Sequence, residues 1–211
     1  STRIDTIPCG TAYLQAESAK TEFWKKRLRR SGNVRVGLAW AGNKTMRKDY
    51  LRSLPLQAMA PLLETVGIHF ISLQSGGSAE IAASGLSITD WMQEAPDYAD
   101  TAALIANLDL VISVDTAVAH LAGALGVPVW LLNRFESEWR WLAEGDHSPW
   151  YPHTRIFRQP ALHDWHTVIA QVKQELRLLV EQEALRQRRE STGLLNKLIR
   201  ILKIGRSEPS T

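Results

Sequence analysis

The stretch at 108–126 constrains this chain more than any other, because its residue pattern changes period within a few positions. Leu110-Val111-Ile112 is a β-branched apolar run with the length of a buried strand. It stops abruptly at Ser113-Val114-Asp115-Thr116, where Ser113, Asp115 and Thr116 are each able to cap a helix. Ala117, Ala119, Leu121, Ala122, Ala124 and Leu125 then read as a small-residue helix that packs close to a sheet. Gly126 supplies the stop, and Val127-Pro128 opens another strand. A buried strand feeding a helix leaves N–H groups and a positive dipole end at the tip, a natural seat for a phosphate.

The same reading carried along the chain gives strands at 34–40, 68–73, 86–89, 109–114, 127–132 and 155–157. Helices are expected at 12–30, 56–66, 98–107 and 163–189. Ser53 stands as a cap and Pro55 in the first turn of the second helix, and Asp164 lies near the start of the last. Ser75-Gly76-Gly77-Ser78 reads as a flexible loop. Strands alternating with helices specify an α/β fold: a doubly wound, Rossmann-like parallel sheet of about six strands with helical N- and C-terminal appendages. Right-handed crossovers favour the order 3-2-1-4-5-6, with the first and fourth strands adjacent. A ligand crevice is then expected beyond their carboxyl ends, between the polar loops 41–53 and 113–120.

Composition removes several classes of function. With 211 residues, 45% of them apolar and 22% charged, the chain reads as one ordinary soluble domain plus appendages. A single cysteine, Cys9, allows neither an internal disulfide nor a Cys-rich zinc site. No apolar stretch has bilayer length and no signal peptide is visible, so a cytoplasmic location is expected. The net charge of +3 is uneven: residues 172–211 hold nine Lys/Arg against five Asp/Glu, leaving the body nearly neutral. A nucleic-acid-binding body would show a basic face.

The polar loops offer specific chemistry. Lys44, Arg47, Lys48 and Arg52 either supply the positive charge a diphosphate needs or form a solvated loop surface. Asp115 either caps its own helix or accepts hydrogen bonds from sugar hydroxyls, since a carboxylate repels phosphate. His120 is a structural hydrogen-bonding group or a weak candidate catalyst. Neither G-x-G-x-x-G nor a P-loop nor a serine-hydrolase elbow is present. His163-x-x-His166 lacks the ligands that would complete a metal site, so no metal is expected. Trp130, Trp139, Trp141, Trp150 and Trp165 fill core or interface, or line a pocket.

An ordered set of motifs then resembles one family. The set runs Val36-Gly37-Leu38-Ala39-Trp40-Ala41-Gly42-Asn43, Arg52-Ser53-Leu54-Pro55-Leu56, Phe70-Ile71-Ser72-Leu73-Gln74 and Tyr98-Ala99-Asp100-Thr101-Ala102-Ala103. It continues with Asp115-Thr116-Ala117-Val118-Ala119-His120-Leu121-Ala122-Gly123-Ala124-Leu125-Gly126, Trp139-Arg140-Trp141-Leu142 and Ser148-Pro149-Trp150-Tyr151-Pro152. Over roughly 34–180 it resembles the C-terminal domain of heptosyltransferase-like (glycosyltransferase family 9-type) GT-B enzymes, in the tetratricopeptide-repeat-associated branch. The resemblance implies an inverting, metal-independent glycosyltransferase with no cofactor, whose substrate is a nucleotide-diphosphate sugar. It implies that Thr116 and nearby backbone N–H groups, including that of Ala117, hold the diphosphate while Asp115 and His120 face the sugar. Asn43, Arg52, Ser53, Gln74 and Asp100 complete the expected donor site. Many heptosyltransferases carry glycine where this chain has Ala117, which leaves the donor sugar open.

A GT-B enzyme has two such domains and this chain has strands for one, so the chain is expected to be a fragment or a degenerate half: either the donor-binding half of that enzyme or, alternatively, a non-catalytic nucleotide-sugar-binding module or scaffold with a membrane- or partner-binding basic tail. The missing N-terminal acceptor domain and repeats are the implied partners, and no nucleic acid is implied. The expected division is a linker and leading helix at 1–33, the nucleotide-sugar-binding domain at 34–180 and a basic helical tail at 181–211. In the tail, Leu194, Leu195, Leu198, Ile199, Leu202 and Ile204 interleave with Lys197, Arg200, Lys203 and Arg206. That pattern suits either peripheral membrane contact through 194–206 or packing on another domain.

Overall fold

The computed structural model describes residues 6–7, 12–28, 34–43 and 45–204, with side chains as far as 192. Cys9, Lys44, the helix stop at Gly32-Asn33 and the side chains of the 194–206 stripe lie outside the described residues. Five parallel strands form one sheet in the order β2-β1-β3-β4-β5. They are β1 Val34–Ala39, β2 Ile68–Ser72, β3 Leu110–Val114, β4 Val129–Asn133 and β5 Thr154–Arg158. The order reverses between β1 and β3, whose register pairs Val36 with Leu110 and Ala39 with Ser113.

The third of the six expected strands, at 86–89, is corrected to an isolated bridge between Ile71 and Thr89 beside β2. Only Thr89 pairs fully, taking Phe70 O at 2.9 Å and giving its own carbonyl to Ser72 N at 2.8 Å. Ile88 N is already spent on Leu86 O, and the Asp90 carboxylate bends the following chain by accepting from Met92 N at 3.1 Å. The backbone is therefore out of ladder geometry on both sides of one residue.

Alternation along the strands divides the core between two faces. Val36, Leu38, Ile112, Val114 and Leu132 point to one face, which is covered by the start of α6 (Trp165–Ile204) through Val168, Ile169, Val172 and Leu176. Ala39, Val111, Val129, Leu131 and Ile156 point to the other, covered by α1 (Ser18–Leu28), α4 (Tyr98–Ile105) and α5 (Ala117–Ala124). Burial of both faces is the usual condition of a parallel sheet and accounts for its unbroken apolar strands.

The helices differ from expectation where side-chain partners override local pattern. The helix expected at 56–66 is a 3₁₀ turn, Leu56–Met59, running into a single α turn, α2 Ala60–Leu63. Pro61 sits at its start and Gly67 at φ +90° turns the chain into β2. Ser53 does not cap it; instead Leu56 N donates to Glu80 Oε1 at 2.8 Å. Glu80 comes from α3 (Ser78–Ser84), a helix that was not expected and that starts at the last residue of the expected loop 75–78. The first helix begins at Ser18 rather than at 12, because the strap before it is extended and donates Tyr13 N and Leu14 N to Ala124 O. Asp164, expected near the start of the last helix, caps α6, accepting from Thr167 N at 3.0 Å and Thr167 Oγ1 at 2.7 Å.

Candidate donor site

The carboxyl ends of β1, β3 and β4 open into a cleft of about 460 Å³. Its lining comes from the loops that follow those three strands: Lys48, Asp49 and Arg52; Asp115, Thr116, Ala117 and His120; Arg134, Glu138 and Arg140. This is the switch-point crevice of a doubly wound sheet.

The loop after β1 is built on Asp49, which is buried. Its carboxylate accepts from Arg52 Nε at 2.8 Å and Ser53 Oγ at 2.7 Å. Gly42 lies against this pair: a Cβ there would stand 2.2 Å from Asp49 Oδ1 and 2.7 Å from Arg52 Nη2, so a larger residue would push the pair apart. Gly42 N donates to Ser53 Oγ at 2.9 Å, closing the loop. Arg52 then reaches across the switch point, and its Nη1 donates to Asp115 O at 2.9 Å. One guanidinium thus ties the two halves of the crevice together while lining it.

At the end of β3, Thr116 stands at the helix boundary with φ −139° and ψ 171°. None of the three expected capping side chains caps α5. Ser113 Oγ donates to Val114 O at 2.7 Å and lies 3.1 Å from Thr116 Oγ1. The first N–H groups of α5, on Ala117 and Val118, are left without intrahelical partners at the cleft.

Asp115 and His120 meet one turn apart, with Asp115 Oδ1 3.6 Å from His120 Nε2, just beyond hydrogen-bond distance. The imidazole stacks on the buried Trp141 ring at 5.1 Å and 21°, and its Nδ1 lies 3.1 Å from the Tyr151 hydroxyl. Burial pushes the Asp115 carboxyl up. His120, the Trp141 indole and Arg52 outweigh it and hold Asp115 below the usual carboxylate range. Trp141 Nε1 supports that charge without making a hydrogen bond of ordinary geometry.

The cleft carries more positive than negative charge. Arg52 is offset by Asp49, and Arg140 by Glu138 at 2.6 Å, with Arg140 also lying over the Trp139 ring. Among the described residues, Lys48 and Arg134 have no carboxylate partner within ion-pair distance, and Arg134 Nε is buried without a hydrogen bond.

Of the residues singled out from sequence, Lys48, Arg52, Asp115, Thr116, Ala117 and His120 converge here. Ser53 and Asn43 lie beside the cleft as loop supports, Asn43 Oδ1 accepting from Thr45 N at 3.0 Å. Arg47 is exposed and not part of the lining. Gln74 and Asp100 are placed elsewhere. Gln74 Oε1 is occupied by Trp40 N at 3.0 Å and Ala41 N at 2.9 Å, where it buttresses the start of the β1 loop. Asp100 pairs with Lys20 at 2.8 Å between α4 and α1. Sequence reasoning missed Asp49, Arg134, Glu138 and Tyr151. Arg134 had a readable signal, since it directly follows a buried strand, as the two loops that were recognised also do.

Comparison with known proteins bears on the fold that carries this cleft. Residues 97–181 match the profile of glycosyltransferase family 9 (heptosyltransferase). Protein FlbA of Caulobacter vibrioides is 33% identical over 181 residues, which cover 82% of this chain and 30% of that protein. The structure of E. coli ADP-heptose lps heptosyltransferase II matches with a TM-score of 0.54 at 18% identity, over 81% of this chain and 54% of that one. A glycosyl transferase family 9 structure from Veillonella parvula matches with a TM-score of 0.51 at 12% identity, over 82% and 51%. The chain therefore spans about half the length of these structures and under a third of the curated relative. Over 97–181, the segment holding Asp115, His120, Trp141 and Tyr151, the chain carries a glycosyltransferase family 9 (heptosyltransferase) domain match on the fold of heptosyltransferase structures.

Proposed function

We propose that this chain is the C-terminal, donor-binding half of an inverting, metal-independent glycosyltransferase. The observation that carries the reading is the convergence of Lys48, Arg52, Arg134 and Arg140 on the Asp115–His120 pair at the ends of β1, β3 and β4. The cations and the N-terminus of α5 hold the diphosphate of a nucleotide sugar, while Asp115 accepts from sugar hydroxyls. In the reaction an acceptor oxygen attacks the anomeric carbon and the bond to the diphosphate breaks. The acceptor proton passes to a base, and the cations stabilise the negative charge that develops on the leaving group. The acceptor and the base belong to the other half of the enzyme, and tetratricopeptide repeats adjoin it in the branch that the motifs resemble.

Calorimetric titration with ADP-, GDP- and UDP-hexoses tests the reading, binding of at least one being the expected result. Asp115→Asn leaves the free nucleotide diphosphate unchanged and weakens the matching nucleotide sugar. Equal losses for both ligands would return Asp115 to a purely structural role. The half-enzyme reading further requires that the chain alone release no nucleotide diphosphate in an acceptor-dependent manner. Membrane contact through 194–206 is a separate question, answered by co-sedimentation with anionic vesicles.

A further inference from the structure

Tyr151 lies on the far side of His120 from Asp115, and its surroundings combine an apolar seat with one directed hydroxyl. The ring rests on Gly123, where a Cβ would stand 2.6 Å from Tyr151 Cγ. Gly123 follows His120 by one helical turn, so α5 presents the imidazole and an empty seat on the same face. The backbone leading to Tyr151 is fixed by Ser148 Oγ, which accepts from Trp150 N at 3.1 Å and Tyr151 N at 3.3 Å. From this seat the hydroxyl reaches His120 Nδ1 at 3.1 Å and the Tyr13 hydroxyl at 3.4 Å.

The direction of these hydrogen bonds follows from the carboxylate at the other end. Ionised Asp115 accepts and cannot donate. A neutral His120 therefore faces it favourably only with the proton on Nε2, which leaves a lone pair on Nδ1. That lone pair needs a donor, and the Tyr151 hydroxyl is the donor in reach. Tyr151 O then accepts from the Tyr13 hydroxyl. The opposite tautomer sets the Nε2 lone pair against the Asp115 carboxylate 3.6 Å away. Burial, and then Tyr13, push Tyr151 well above the ordinary phenol range, so it keeps the proton it donates.

We propose that Tyr151 is a positioning residue of the donor site: its hydroxyl donates to His120 Nδ1 and locks the imidazole as the Nε2–H tautomer directed at Asp115 and the cleft. The consequence for donor binding rests on the cleft being a nucleotide-sugar site; the tautomer itself does not. Proton-detected ¹⁵N spectra of the His120 ring in the 211-residue chain, recorded with the ring in its neutral form, read the tautomer directly. A single Nε2–H form is expected. Tyr151→Phe, which keeps the ring on Gly123, converts it to a mixture, and Gly123→Ala does the same by displacing the ring. Tyr13→Phe leaves the Nε2–H form in place. Against ADP-glucose, GDP-mannose and UDP-glucose, Tyr151→Phe lowers affinity for the bound donor about tenfold, one ordinary hydrogen bond, and spares the free diphosphate. An Nδ1–H tautomer in the unmodified chain overturns the proposal. So does an unchanged tautomer in a folded Tyr151→Phe protein, which decides the matter if Gly123→Ala does not fold. If no nucleotide sugar binds the unmodified chain, the donor-site reading fails while the spectra still decide the role of Tyr151.

Discussion

Replacing Arg52 with alanine tests whether one guanidinium both lines the cleft and holds it together. The substitution removes the Nε bond to Asp49 Oδ1 at 2.8 Å and the Nη1 bond to Asp115 O at 2.9 Å. Asp49 is only 6% exposed, so its carboxylate loses a charged partner where water cannot replace it fully. A charged hydrogen bond contributes about 1.5–3 kcal/mol, and the one to the carbonyl contributes about 0.5–1.5 kcal/mol. The Arg52 side chain is itself 23% exposed, which trims the first figure through solvent screening. A loss of roughly 2–4 kcal/mol of unfolding free energy follows, within the 5–15 kcal/mol typical of a domain, so the variant stays folded. Urea unfolding followed by tryptophan fluorescence measures it. Adding Asp49→Asn to Arg52→Ala removes the orphaned charge, and the pair should couple by about 1–3 kcal/mol in a double-mutant cycle. Arg52→Lys keeps the charge but cannot span both acceptors, so it recovers anion binding more than stability. A loss below about 0.5 kcal/mol, or strictly additive single losses, would refute the bridge.

Other expectations follow from the same structure. Because Asp115 is held below the usual carboxylate range when folded, its stabilisation is complete above the unfolded-state pKa and is lost as pH falls through the folded one; Asp115→Asn should flatten that acid limb in unfolding titrations. Asp109→Ala removes a bidentate pair with Arg35 and the acceptor for Arg35 N, both partly exposed, and should cost about 1–2 kcal/mol in chemical denaturation. Gly37→Ala places a Cβ 2.5 Å from Leu73 Cδ1 and 2.7 Å from Leu108 Cδ1 in the centre of the sheet, and thermal melts should show an overpacking cost of about 1–3 kcal/mol.

The parts legible in the sequence were those governed by short-range pattern. Leu110–Val114 and Ala117–Ala124 follow from an apolar run meeting small residues at helical spacing, and Trp165–Ile204 starts where Asp164 caps it. Two of the three cleft loops were located because a polar segment follows each strand. What escaped was the choice of partner across the chain. Gln74 had the chemistry of a ligand contact, yet the Trp40 and Ala41 N–H groups take its carbonyl. Asp100 had the same appearance and belongs to Lys20. Ser53 resembled a cap and supports Asp49 instead, leaving Glu80 to satisfy Leu56 N. Tyr151 stood inside the Ser148–Pro152 motif, but its contacts with Gly123 and His120 join it to another element and left no mark within that motif. These pairings depend on which elements the fold brings together, and the pattern within any one segment carries no record of them.

The last helix reports two different equilibria along one rod. Its first four turns are fastened to the sheet through Val168, Ile169, Val172 and Leu176, and Val180 closes against Gly67. From 181 to 192 it is exposed except at Glu183, and its turns are held only by local side-chain contacts: Glu183 with Arg186 and Gln187, Arg186 with Glu190, and the Ser191 and Thr192 hydroxyls on carbonyls one turn back. Such pairs contribute only about 0.2–0.5 kcal/mol each. Amide hydrogens at 172–176 should therefore exchange with solvent only through global unfolding, while those at 186–192 exchange through helix–coil opening. The boundary between them falls near Val180, where the sheet stops supporting the helix.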